Sequence, residues 1–251
     1  MDAALISPWL TSFGLILCRV TGLMLGLPVI SFEIAPLIGR AALAALISIA
    51  LSLGMPTLET LHILPIAMLL ELIYGLCMGF VVRLSLSAAE MAGEIIAMQM
   101  GFAMAKMVNP MSKEPVSPIT SLIVFITGIL LFVSNGHHEI LRVLAGSFYI
   151  SPPGGLNLDN NWFLVFLVLG GEFFWASLRI AAPMMIIIFA TYLSFALLTR
   201  MAQQLNVWAL GFLATIGVGL GGFLIFMPAL VNEIGNMVSR STETLGRFVG
   251  L

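Results

Sequence analysis

Three adjacent residues, His137, His138 and Glu139, are of types that could bind a metal ion. Successive side chains on a helix point about 100° apart, and the only other histidine is His62. The sequence therefore lacks the ligand spacing of a zinc or haem site. We predict that the chain holds no metal and no cofactor.

The run from Gly217 to Gly222 matches the glycine pattern of a dinucleotide-binding loop, but that pattern acts only where a strand turns into a helix. Here it lies inside a continuous apolar stretch. Glycines four residues apart instead predict close packing between membrane helices. Three pairs have this spacing: Gly22 with Gly26, Gly75 with Gly79, and Gly217 with Gly221. Because the chain also lacks a catalytic constellation, we predict that it is not an enzyme.

Four charged residues lie within apolar stretches, where an unpaired charge costs at least about 2.5–3.5 kcal/mol: Arg19, Glu71, Glu172 and Arg179. Three more, Arg83, Glu90 and Glu94, share one face of the helix that continues past the third stretch. Glu172 and Arg179 share a helix face but are about 10 Å apart along the axis. Three interpretations are open: ion pairs within the chain, a proton relay, or pairing with opposite charges on other subunits. We favour the last.

A stripe of methionines precedes a proline-rich loop. Met100, Met104, Met107 and Met111 recur at helical spacing and lead into the break at Asn109 and Pro110. Core packing is one interpretation of the stripe. The other is a deformable seal, because methionine side chains are flexible and polarisable. In that case the loop from Met107 to Pro118 is a plug.

The composition decides which class of protein carries these residues. The chain has 251 residues, of which 60% are hydrophobic and 9% charged, and a net charge of −2. Soluble domains carry about 25% charged residues, so a water-facing exterior is excluded. Disorder is excluded by the high hydrophobicity. The chain also lacks the positive charge that binding to nucleic acid requires.

Six apolar stretches approach the roughly 20 residues that span a bilayer as a helix. They are residues 9–30, 37–55, 61–82, 119–134, 162–199 and 207–231. We predict an all-α integral membrane protein with about six long hydrophobic helices, forming a single domain over residues 1–251. Residues 83–118 extend the third helix and then form the central loop. Residues 232–251 form an amphipathic tail.

Several short segments together resemble a known family. The stretch from Met100 to Pro110 is similar to its central loop, and it is followed at the expected distance by an apolar helix ending Asn135-Gly136-His137, then by Ser147-Phe148 and Pro152. The N-terminal pattern and the pattern around Glu71 lie upstream of this loop, and the C-terminal signature lies downstream. The matching residues there are Arg19, Pro28 and Arg40; Glu71, Gly75 and Gly79; and Ala182, Pro183, Arg200, Gln203–Val207 and Gly211. The chain resembles the FliR class of flagellar biosynthesis proteins, which has relatives in virulence-type type III secretion systems.

The resemblance implies a subunit of the flagellar type III protein export gate, in the bacterial inner membrane at the flagellar basal body. Such a subunit helps to form and seal the conduit for unfolded flagellar proteins. Its implied partners are FliP-like and FliQ-like gate subunits, an FlhB-like switch protein and the exported proteins in transit. The residues assigned to the pore plug are Met100, Gly101, Phe102, Met104, Met107, Asn109, Pro110 and Met111.

Two points stay open from the sequence. The family's central loop often carries aromatic residues where this chain has Met104 and Met107, which leaves the identity of the sealing side chains undecided. The alternative function is a self-contained transporter or channel for a small solute or ion, with Glu71, Glu172 and Arg179 as a relay at membrane depth.

Overall fold

The computed structural model describes residues 8–27, 37–54, 64–102, 117–155, 161–201 and 207–250. These residues form α-helices joined by turns, and no strand occurs among them, which confirms the all-α prediction. The helices are α1 (Pro8–Gly26), α2 (Leu37–Ser52), α3 (Leu64–Gln99), α4 (Pro118–Val133), α5 (Gly136–Ile150), α6 (Asn161–Met201) and α7 (Val207–Val249).

The helices confirm a helical membrane protein, although the predicted number of six is approximate. Four helices in the described residues, α1, α3, α6 and α7, are long and apolar enough to cross a membrane. The count rises to five if α4 and α5 form one broken span. The apolar stretches 37–55 and 119–134 each give a helix of only 16 residues, which is shorter than a single span requires.

Two helices continue beyond the apolar stretches that predict them. Helix α3 runs for 36 residues to Gln99, well past residue 82. Helix α7 runs for 43 residues to Val249, so the segment predicted as an amphipathic tail continues the same helix without a break. Most of the predicted plug, namely Met104, Met107, Asn109, Pro110 and Met111, lies outside the described residues.

Local chemistry sets the helix boundaries around the central loop. Helix α3 is followed by Gly101 at φ +92°, a backbone conformation that glycine adopts without steric cost. Helix α4 begins with Pro118 after Ser117, whose side chain accepts a hydrogen bond from the Thr120 N–H at 3.2 Å. This is the usual chemistry of a helix N-terminus, with a serine cap and a proline in the first turn.

The chain divides into two compact units, and α3, α6 and α7 contribute to both. The first unit comprises residues 1–85, 135–170 and 239–251, and the second comprises residues 86–134 and 171–238. Fully buried side chains of the first unit include Leu15, Leu23 and Leu144; those of the second include Ile96, Ile180 and Ile188. That residues 1–251 act as a single domain stays a prediction.

Candidate functional site

Arg19 is the centre of a buried polar cluster in the first unit. Its guanidinium forms a two-pronged ion pair with Glu71, from Nε to Oε2 at 2.5 Å and from Nη2 to Oε1 at 3.0 Å. Nη1 donates to Ser147 Oγ at 2.9 Å, and Nη2 donates to the Ser151 carbonyl at 3.0 Å. The Gly154 N–H donates to Glu71 Oε1 at 2.8 Å. The cluster thus joins α1, α3, α5 and the turn that follows α5.

Two aromatic rings also contact the guanidinium of Arg19. The guanidinium carbon of Arg19 lies 4.1 Å from the ring centroid of Phe148 and 4.8 Å from that of Tyr74. Tyr74 in turn stacks on Phe248, at the end of α7, with 5.9 Å between the ring centroids. Arg19 and Glu71 are both completely buried, and a buried charge is tolerated only when it is paired and hydrogen-bonded. Of the three interpretations of the charges, the intrachain ion pair describes these two residues.

Close contact between the backbones of α1 and α3 brings Arg19 to Glu71. Two of the predicted glycine pairs, Gly22 with Gly26 and Gly75 with Gly79, lie at this crossing. A Cβ atom added to Gly26 would lie 2.6 Å from the Cα of Gly79, and one added to Gly79 would lie 2.5 Å from the Leu23 carbonyl oxygen. Only glycine allows this approach, because either side chain would collide with backbone rather than with a flexible side chain.

The remaining predicted charges are not brought together in this way. Glu94 is partly buried and accepts a hydrogen bond at 3.4 Å from the N–H of Ser117, the residue that caps α4. Four others are exposed and form no ion pair with another described residue: Arg83, Glu90, Glu172 and Arg179. These four keep the interpretation of a partner outside the chain open.

The first residues of the predicted plug are held firmly in the second unit. Met100 is completely buried, and its side chain fills the space beside Gly219 of α7, where an added Cβ would lie 2.7 Å from the Met100 Cγ. A Cβ on Gly101 would lie 3.1 Å from the ring of Phe212. The hydroxyl of Tyr192 donates to the carbonyl of Gln99 at 2.5 Å. Phe102 follows as the last described residue before the loop.

The third predicted glycine pair behaves differently from the other two. An added Cβ at Gly217 or Gly221 would meet no described atom within 4 Å. The glycines of α7 that do contact a neighbour are Gly211, against Phe195 of α6, Gly219, against Met100, and Gly222, against Met184 and Ile187 of α6. The sequence identified the segment as glycine-rich packing surface, but the contacts within the chain use different members of it.

Sequence reasoning did not assign a site role to three groups that the Arg19 cluster uses: the Ser147 hydroxyl, the Ser151 carbonyl and the Gly154 N–H. Two of them belong to the turn Ser151-Pro152-Pro153-Gly154-Gly155, which the sequence marks as a break in the helices. Among the described residues, no three His, Cys, Asp or Glu side chains gather as metal ligands.

Comparison with known proteins finds similarity over nearly the whole chain. Residues 10–241 match the family model described as bacterial export proteins, family 1. The flagellar biosynthetic protein FliR of Escherichia coli (strain K12) is 30% identical over 242 residues, which cover 92% of this chain and 92% of that protein. FliR of Bacillus subtilis (strain 168) is 25% identical over 247 residues, covering 96% and 95%. The Yop proteins translocation protein T of Yersinia pestis is 33% identical over 143 residues, covering 56% and 54%.

Proposed function

The chain belongs to family 1 of the bacterial export proteins, and from that premise we propose that it is a membrane subunit of a flagellar type III protein export apparatus that helps to form and seal its conduit. The observation that carries this proposal is the extent of the similarity to FliR, which covers 92% of both chains. The similarity to the Yop translocation protein covers only 56% of this chain, which favours the flagellar apparatus over a virulence-type one.

The location and partners follow from the same proposal. An export apparatus that delivers unfolded proteins out of the cytoplasm places this subunit in the bacterial inner membrane, within the flagellar basal body. FliP-like and FliQ-like subunits and an FlhB-like switch protein are its neighbours there. Exposed charges on largely apolar helices favour contacts with such neighbours. Three of them form no ion pair with another described residue: Arg83, Glu90 and Glu172.

The segment 100–118 is the proposed seal of the conduit. Its start is fixed, because Met100 is completely buried and Gly101 takes a left-handed turn beside Phe212. Its end is fixed as well, because Ser117 caps α4 and its N–H donates to Glu94. A segment anchored at both ends can return to one closed position after each passage of cargo. The methionines within it supply side chains that adapt to an irregular contact.

This role is tested by ion conductance through the assembled apparatus in planar lipid bilayers. We expect that replacing Met104 and Met107 with alanine, or deleting residues 113–116, raises the leak current several-fold, because each change removes material from the seal. The deletion stops before Ser117 so that the cap of α4 remains intact. Met98→Ala is the matched control, since this methionine is exposed on α3 before the loop begins. Unchanged conductance in both variants would remove the seal from the proposal.

The alternative function, a transporter with an internal relay, has less support. A relay needs its charged groups close to one another, whereas Glu71 is paired with Arg19 in the first unit, and Glu172 and Arg179 are exposed residues of the second unit. Two relatives that are similar over more than nine-tenths of their length are flagellar biosynthetic proteins.

A further inference from the structure

Helices α6 and α7 form an antiparallel pair in the second unit with a cleft near its middle. An added Cβ at Gly211 would touch the ring of Phe195, and one at Gly222 would touch Ile187. Residue numbers therefore rise along α7 as they fall along α6. Further along the pair, a cleft of about 390 Å³ opens, which is within the size range of ligand-binding pockets. It is lined by Arg179, Ile180, Ala182, Pro183, Ala229, Leu230 and Glu233.

Both helices contain a proline at the level of the cleft. Pro183 lies inside α6 and Pro228 inside α7. A proline cannot donate the intrahelical hydrogen bond and its ring displaces the preceding turn, which bends the helix. Pro183 is itself part of the lining, so the cleft lies where the intrahelical hydrogen bonding of α6 is interrupted. The two charged residues of the lining, Arg179 and Glu233, come from opposite sides of the cleft.

The charge pattern favours a position of this cleft at a membrane boundary. Between Arg179 and Arg200, helix α6 has 20 residues without a charge, which is about 30 Å of helix and equals the thickness of the hydrocarbon core. Helix α7 carries no charge from Val207 to Asn232, and Glu233 is its first charged residue. Trp175, one helical turn before Arg179, is largely exposed, and tryptophan is enriched at the membrane–water interface. Glu172 then lies outside the core.

The two charges define the chemistry of a ligand at this depth. Arg179 is exposed and Glu233 partly so, and neither forms an ion pair with another described residue. A guanidinium binds a phosphate through two parallel hydrogen bonds, and a carboxylate binds an ammonium group. The rest of the lining is apolar. A ligand with a phosphate, an ammonium group and a hydrocarbon part satisfies all three requirements.

We propose that the cleft between Arg179 and Glu233 binds the headgroup of a zwitterionic phospholipid, with the phosphate at Arg179 and the primary ammonium group at Glu233. The bound lipid fixes the depth of the α6–α7 pair in the bilayer. This assignment gives Arg179 a lipid partner in place of the charged neighbouring subunit that the sequence predicts. It also leaves Glu172, seven residues away, as the charge available to a subunit.

The test is native mass spectrometry of the intact complex, purified in mild detergent, stripped of lipid and then titrated with phosphatidylethanolamine or with phosphatidylglycerol of the same acyl chains. We expect the wild type to retain phosphatidylethanolamine in preference to phosphatidylglycerol. Arg179→Gln and Glu233→Gln should each weaken that retention about tenfold, the equivalent of roughly 1.4 kcal/mol. Arg240→Gln is the matched control, because it removes an exposed charge on α7 outside the cleft, and it should retain the lipid as the wild type does.

Three results would overturn the proposal. The first is equal retention of the two lipids by the wild type, and the second is unchanged retention in both cleft variants. The third is capture of a protein subunit, rather than lipid, by a photoreactive amino acid placed at Ala229. Failure of the export-gate function is read separately in the same spectra, since it appears as loss of the other subunits from the complex.

Discussion

Arg19 shows how a charge can lie at the centre of an apolar helix without destabilising it. Four hydrogen bonds and two aromatic rings surround its guanidinium, and one of its partners, Glu71, is held further by a backbone N–H. The pair connects segments that are 52 residues apart in the chain, and Ser147 is 128 residues from Arg19. The cluster is therefore a cross-link between distant parts of the first unit.

This arrangement predicts that losing one member of the pair is worse than losing both. Arg19→Met leaves the Glu71 carboxylate buried without its cation, which costs about 3–5 kcal/mol. We expect a clear fall in the Tm of the purified complex. The double variant Arg19→Met, Glu71→Met removes the unpaired charge and should recover part of that fall, although the Gly154 N–H then lacks its acceptor.

The control for this prediction is Arg142→Met. Arg142 forms an ion pair with Glu139 at 2.9 Å, but its side chain is 79% exposed, and exposed pairs contribute little to stability. If Arg19→Met lowers the Tm no more than Arg142→Met does, the buried pair is not a structural cross-link.

The sequence predicts which charges are unusual but not how each is neutralised. A charged residue inside an apolar run is visible in the sequence alone, and four of the seven were found that way. The other three, Arg83, Glu90 and Glu94, were found because they share one face of the helix that continues past the third run. The partner is not visible, because helical periodicity relates residues on one helix and carries no information about which helix lies opposite. The turn that supplies the Ser151 carbonyl and the Gly154 N–H shows only as a run of prolines and glycines.

At the scale of elements, the glycines of α1 and α3 determine how closely these two helices approach. A Cβ on Gly75 would lie 2.9 Å from the backbone nitrogen of Leu23, and backbone on a packed helix cannot move aside cheaply. Close contact of this kind is a recurrent mode of association between membrane helices. Since Arg19 and Gly75 face each other here, the same crossing aligns the buried ion pair.

We therefore expect Gly75→Ala to separate α1 from α3 and to lower the Tm of the complex markedly. Gly128→Ala in α4 is the matched control, because a Cβ there meets no described atom within 4 Å. Alanine is the better helix former, so Gly128→Ala should leave stability unchanged or raise it by about 0.5–1 kcal/mol. Equal Tm values for the two variants would contradict the close contact.

The glycines of α7 show where prediction of elements from the sequence stops. Spacing of four residues selects one face of a helix, and on that basis Gly217 and Gly221 were assigned to packing. Spacing does not say which face meets a neighbour within the chain, and the structure uses Gly219 and Gly222 instead. Similarly, hydropathy predicted the apolar stretches but not that α7 continues unbroken to Val249.

At the scale of the whole molecule, the large apolar surface of α6 and α7 needs an explanation. Ile186, Phe189, Leu213, Leu224 and Ile225 are each at least two-thirds exposed. For a soluble chain, such a surface would cause aggregation. In a membrane subunit, the part of it at bilayer depth faces lipid or neighbouring helices, and either environment removes the penalty.

A chain that buries part of its apolar surface against other subunits should not be stable in detergent without them. We expect native mass spectrometry of the tagged chain, extracted from its own cells in mild detergent, to give a large hetero-oligomer with several kinds of subunit. We expect the same chain, expressed without the other subunits, to aggregate or to form a mixture of oligomeric states in detergent. The reason is that helices such as α2, α4 and α5 are each too short to cross a bilayer alone, so they depend on neighbours for burial.

A stable monomer or homodimer across several mild detergents would contradict this prediction, because a subunit whose apolar surface is covered by other subunits is not expected to be stable without them. That result would return weight to a self-contained transporter, and the exposed charges Arg83, Glu90 and Glu172 would then need partners in water or lipid. A hetero-oligomer has the opposite consequence. It would assign these charges to contacts between subunits, and the masses of its components would give the stoichiometry against which each charge can be paired.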